Sequence, residues 1–246
     1  MKTIKLILFF LITLSLNVMG QSDQSVNANY ENSTAIIDLD LIDYDEIKYV
    51  IQKLDKPEDG KSPIKNYVLK GNFRKLGIVG GANDNPFRDA DNAESIDFTQ
   101  ITPDSWPKVK IKIDGEDCFE KGFPNNSFNL GGPQDKGYKK LRKIVAPKEV
   151  EILGKYCFRK CKVKELFFPG VKYLGDRCFN ACSVTELWLT TPEDFKVFKD
   201  NNGNESVFVA FTGKGKTLYL NENKQGKVSG NTIFNISNWG FIKYEK

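Results

Sequence analysis

Between residues 141 and 189 the apolar and polar positions recur with a period of 21 residues. LRKIVAPKEVEILGKYCFRKC (141–161) is followed by KVKELFFPGVKYLGDRCFNAC (162–182) and SVTELWL (183–189). In this register Gly154 aligns with Gly175, Cys157 with Cys178, Phe158 with Phe179, Cys161 with Cys182, Val163 with Val184, Glu165 with Glu186 and Leu166 with Leu187. So many matches in one register identify an internal repeat. Within a unit, Leu166 and Phe168 flank Phe167, which predicts a short strand with Phe167 outward, ended by Pro169, which has no N–H for a ladder. Val171, Leu174, Cys178 and Phe179 then point inward, with Gly175 expected at positive φ where the chain reverses.

One such unit cannot bury enough apolar surface to offset the ordering of its own backbone, so the units must stack. Outside the regular stretch the pattern weakens. IDGEDCFEKG (113–122) repeats the core at Gly115, Cys118 and Phe119, with Gly122 in place of the second cysteine. Residues 123–140, rich in Gly, Pro and Asn, predict an irregular loop that leaves the stack and returns. VLKGN (68–72) and SIDFTQIT (95–102) read as strands of earlier, degenerate turns, with Phe87 at the phenylalanine position before the second.

The ends need covers. Asp45–Leu54 places Ile47, Val50, Ile51 and Leu54 on one helical face, with Asp43 or Asp45 as N-cap, so residues 41–66 are expected to form an N-terminal helical cap. KTLYLNEN (216–223) reads as a last strand, and Trp239, Phe241, Ile242 and Tyr244 are expected to cover the far end. The resulting expectation is an α/β-type solenoid of short parallel strands, mostly β and irregular, over residues 67–246. Residues 21–40, polar in composition, are expected to be a flexible lead-in.

The unit hydrophobic-x-x-Leu-x-hydrophobic-Pro, then Val-x-x-Leu-Gly-x-x-Cys-Phe-x-x-Cys, resembles the BspA-like leucine-rich repeats, closely over residues 141–189 and loosely over 67–122. The ending with Trp239 and Phe241 is also similar, whereas Cys157 and Cys178 stand where that family usually has alanine. The resemblance implies a parallel-stranded solenoid at the cell surface or secreted, with roles in adhesion or in binding proteins and host matrix. It implies no shared catalytic residues.

Lys2 and Lys5 precede an apolar run from Leu6 to Leu16, followed by Val18 and Gly20, the pattern of a secretory signal peptide over residues 1–20 cleaved near Gly20. The run is too short for a membrane span, so the mature chain is expected outside the cytoplasm, either secreted, periplasmic or on the cell surface. Net charge is +4, falling to +2 without the leader, which gives no reason to expect nucleic acid as a partner. There is no histidine, which removes every mechanism that needs an imidazole. The acidic segments 36–46 and 83–92 lack the Gly and distal Glu of an EF-hand, so no metal is expected. Five cysteines, at 118, 157, 161, 178 and 182, are read as buried thiols, with Cys157 paired to Cys178 or Cys161 to Cys182, or a zinc site, as alternatives. No cofactor and no catalytic residue is assigned.

The outward strand position reads Asp97, Lys112, Val145, Phe167, Trp188 and Tyr219, turn by turn. Three successive aromatics facing solvent predict an apolar stripe, flanked by Glu165 and Glu186 two residues earlier, that binds a protein or glycan. Two alternatives are a structural surface protein whose stripe is covered, and a carboxylate-based enzyme acting on glycans.

Overall fold

The computed structural model describes residues 24–58, 60–81, 84–131, 137–189, 196–222, 225 and 239–245. The expected leader, 1–20, lies outside them. In chain order the elements are β1 Val26–Asn29, β2 Thr34–Asp38, α1 Tyr44–Asp55, β3 Asn66–Gly71, β4 Ser95–Ile101, β5 Lys108–Ile113, β6 Glu116–Phe123, β7 Lys143–Val145, β8 Ile152–Leu153, β9 Glu165–Phe167, β10 Tyr173–Leu174, β11 Glu186–Leu189, β12 Lys196–Val197, β13 Thr217–Asn221 and β14 Phe241–Glu245. The fold is mostly β, with one α-helix among the described residues. A nine-stranded sheet runs β1-β2-β3-β4-β7-β9-β11-β13-β14 and a five-stranded sheet runs β12-β10-β8-β6-β5. Every pairing in the large sheet from β2 onward is parallel.

Each regular repeat gives one strand to each sheet. The backbone ladder also continues between them. Phe158 N donates to Cys178 O (2.8 Å), Lys160 N to Asn180 O (2.7 Å) and Phe179 N to Val207 O (2.9 Å). Leu166 and Leu187 are in register and fully buried, as the alternation requires. Four phenylalanines form an inner column: Phe128 stacks on Phe158 (5.2 Å), Phe158 on Phe179 (5.7 Å) and Phe179 on Phe208 (5.0 Å).

That column corrects two expectations. Residues 123–130 do not loop out. Asn126, Phe128 and Leu130 donate to the carbonyls of Lys155, Cys157 and Arg159, so this segment is itself a turn of the stack and Phe128 holds the motif position. The weak motif at 113–122 is instead a hairpin, β5 antiparallel to β6, with Phe119 exposed. Asp114 (φ 52°) and Gly115 (φ 87°) make its two-residue turn, the conformation that Asp-Gly favours between paired strands. The hairpin lays Val109, Ile111 and Ile113 over Ile152, Tyr173 and Phe198 on the small sheet.

The glycines work differently from expectation too. Gly154 and Gly175 are not left-handed. A Cβ on Gly175 would lie 2.8 Å from the backbone of Gly154 and Lys155, so glycine allows the turns to approach closely. The left-handed positions are Tyr156 and Arg177, then Lys160 and Ala181, with φ between 51° and 56°.

Residues 21–40, expected to be flexible, contain β1 and β2, which pair antiparallel and form one edge of the large sheet. The polar composition hid Ala35 and Ile37, both fully buried. The helix α1 buries Ile47, Val50, Ile51 and Leu54 as its periodicity requires. It lies in the crossover from β2 to parallel β3, within the stack, and so stands behind the first two strands of the chain. Its N-cap Asp43 makes no side-chain cap and pairs with Lys75 Nζ (3.3 Å). Buried Asp55, at its last turn, accepts from the backbone N–H of Asp91 (3.0 Å) and Asn92 (2.6 Å) and so ties the helix to the next connection. At the far end β14 pairs with β13, Trp239 is buried, and Phe241 is exposed.

Phe158→Ala and Phe179→Ala should each destabilise by about 3–5 kcal/mol in chemical denaturation, as large-to-small changes in a packed column. Gly175→Ala should cost about 2 kcal/mol or more by forcing adjacent turns apart. Ala181→Gly should stabilise by about 0.5–1 kcal/mol through relief of the left-handed conformation, a sign opposite to that expected of glycine elsewhere.

Candidate functional site

The outer face of the large sheet carries the residues that alternate with the core. Parallel pairing without offset puts Val145, Phe167, Trp188, Tyr219 and Lys243 in one row across five strands. The extra residues between Trp188 and Tyr219 therefore add no strand to this sheet. Asp97 continues the row on β4. Lys112 does not belong to it: it lies on β5 in the other sheet and pairs with Asp117 at 3.1 Å.

Phe167, Trp188 and Tyr219 form a ladder. Phe167 and Trp188 have centroids 3.8 Å apart and planes at 15°, and Trp188 and Tyr219 are 4.0 Å apart at 6°. The ladder is less exposed than expected: Phe167 and Trp188 are half-buried, and Tyr219 retains 9% of its surface. Mutual stacking is the reason, because each ring covers the faces of its neighbours. A lysine closes each end, with Lys143 Nζ 4.6 Å from the Phe167 centroid and Lys243 Nζ 5.3 Å from that of Tyr219. These two cation–π contacts were missed in the sequence, since Lys143 reaches Phe167 diagonally across strands.

Glu165 and Glu186 are in register with each other, with Lys143 on one side and Thr217 on the other. Both are half-buried and lie beside the ladder, where their carboxylates can accept hydrogen bonds from an approaching donor. The resulting face has an apolar middle, acceptors along one flank and a cation at either end.

The cysteines offer no comparable site. All five are free thiols, and Cys157, Cys161, Cys178 and Cys182 are buried. Burial pushes the Cys161 and Cys178 thiols well above their ordinary range and raises Cys182 to about 11, so they remain protonated and unreactive near neutrality. Among the described residues no cluster of three or more Cys, Asp or Glu is placed to hold a metal. Among the described carboxylates only Glu205 is shifted upward, by burial, and its Oε2 has no hydrogen-bond partner.

Residues 136–205 match a family model described as a BspA type Leucine rich repeat region (6 copies). The match takes in Phe167 and Trp188 but ends before Tyr219. The chain matches no curated protein and no solved structure. No helix among the described residues is long and apolar enough to cross a membrane.

Native alkylation near about pH 8 should label Cys118, the one half-buried thiol, slowly, and the other four only after denaturation. Intact mass under non-reducing conditions checks this: a mass lower by the four hydrogen atoms that two disulfides remove would contradict it.

Proposed function

We propose that this chain, whose residues 136–205 match a BspA-type leucine-rich-repeat region, is a solenoid binding module that recognises a protein through the outer face of its large sheet. Arrays of such repeats serve as binding or surface modules and are generally not enzymes. Phe167, Trp188 and Tyr219 form the centre of the face, with Glu165 and Glu186 as flanking acceptors. The leader pattern at residues 1–20 supports a secreted or cell-surface setting.

The stacking of the rings carries the choice of partner. A sugar packs its C–H groups on a free aromatic face. Here the faces are occupied by neighbouring rings at 3.8 and 4.0 Å and, at the ends, by Lys143 and Lys243, leaving mainly edges outward. Edges and half-buried rings suit the side chains of a protein partner better than a glycan. The same stacking favours one rival reading, in which the ladder only stabilises the sheet. An enzymatic reading has less support, because it needs two interacting carboxylates with separated pKa values, and Glu205 is raised by burial, with no carboxylate among the groups that shift it.

Trp188→Ala removes two stacked contacts and should cost about 1–3 kcal/mol of folding stability. It should also weaken binding to a protein ligand by about 2 kcal/mol. Glu186→Lys, which removes no ring, should leave stability within about 0.5 kcal/mol of wild type yet still weaken that binding. Parallel titrations against matrix proteins and glycans would decide the matter. Glycan binding abolished by Trp188→Ala would overturn the protein reading, and a protein ligand indifferent to both substitutions would leave the ladder a purely structural device.

A further inference from the structure

We propose that the open edge of β5 is a docking groove for an extended, acidic segment of a partner protein, which adds to the small sheet as a further strand. Among the described residues β5 is the last strand of that sheet, paired on one side only. The pairing fixes which backbone groups are free. Gly122 N donates to Pro107 O (3.1 Å), and Ile113 and Glu116 close the two-residue turn, so Val109, Ile111 and Ile113 form the hydrogen-bonded pairs with β6. The N–H and C=O groups of Lys108, Lys110 and Lys112 therefore point away from β6. Among the described residues none of them takes a backbone hydrogen bond from any other segment.

A groove of about 470 Å³ opens at the first residues of β5. Lys108, Val109 and Lys110 of β5 line it together with Arg74, Ile78 and Val79, and Pro124 and Asn125, just past β6, complete it. Val79 is 81% exposed, an uncovered apolar side chain in the wall. No acidic residue lines the groove, whereas three cations do. Lys110 is held by Asp117 at 2.6 Å, while Arg74 and Lys108 have no acidic partner among the described residues.

Lysines along a strand edge repel a second copy of the same edge. The same charges select an acidic strand, which can place carboxylates against Arg74 and Lys108 and turn its alternate apolar side chains toward Ile78 and Val79. Backbone pairing supplies the affinity and the charges supply the choice.

The probe is a synthetic peptide of about seven residues alternating Glu with Val, long enough to span β5. It should bind the mature chain and slow hydrogen exchange at the amides of Lys108 and Lys110, a readout that needs no variant. Lys110→Pro removes an outward N–H while leaving the β6 ladder intact, and should weaken binding by about tenfold or more. Lys110→Ala keeps the N–H and should lose less. Arg74→Glu should weaken binding by a similar factor to the proline variant. The proposal is overturned if the peptide fails to bind at about 1 mM, binds without protecting those amides, or is matched by a Lys-Val peptide. It is equally overturned if only a single-stranded oligonucleotide occupies the groove.

Discussion

Parallel pairing without offset is the constraint on which the rest of the molecule depends. Once strands stack about 4.8 Å apart in register, every residue of one repeat sits on its counterpart in the next, and each sequence position becomes a column. A residue then has to suit its own copy as a neighbour. Phenylalanine, leucine and cysteine pack on themselves inside the stack. Glycine is needed at 154 and 175 because the columns there are backbone on backbone, closer than any Cβ permits. Even the unfavourable left-handed residues come in columns, Tyr156 with Arg177 and Lys160 with Ala181, because a corner shape once adopted is imposed on the neighbouring turn.

The same constraint shapes the outer face. Aromatic residues at one outward position cannot stand apart as separate contact points; at this spacing they close into a ladder. A ladder gives up the ring faces and presents a continuous band of edges, rigid because each ring is held on both sides. In the proposed binding role that rigidity lowers the entropy lost on association and narrows the partners the face suits. The lysines over its ends extend the column with charge where the aromatics run out, so the face offers direction as well as apolar area.

How far the fold was legible in the sequence follows from how strictly the columns are kept. From Leu141 to Leu189 the period is unbroken, and the buried leucines, the phenylalanine column and the row of Phe167, Trp188 and Tyr219 follow from it directly. Phe128 and Phe208 were missed because they stand 30 and 29 residues from Phe158 and Phe179, with insertions that break the period yet leave the stacking intact. Gly115, Cys118 and Phe119 misled for the converse reason: a hairpin with an Asp-Gly turn reproduces the spacing of the motif by accident. Only the two-residue turn chemistry between KVKIKI and EDCFEKGF separates the two readings. The exposure of the ladder was overestimated because alternation says which face a side chain takes and nothing of how much its own neighbours cover.

A perfect array has identical edges only at its two ends, and along its flank every backbone group is satisfied by the turn above or below. The β5–β6 hairpin breaks that economy. β6 joins β8 in parallel, as a repeat strand would, but β5 folds back antiparallel on β6 and stops there, which leaves an edge that the repeat itself could not produce. Lysine is tolerated at 108, 110 and 112 because these residues belong to no column and need not sit on copies of themselves. Within a column, three like charges in succession would repel at strand spacing, so a dense basic edge is available to this architecture only where the repeat is interrupted. The departure from periodicity that made residues 108–123 hard to read is thus the same feature that gives them a surface chemistry distinct from the ladder.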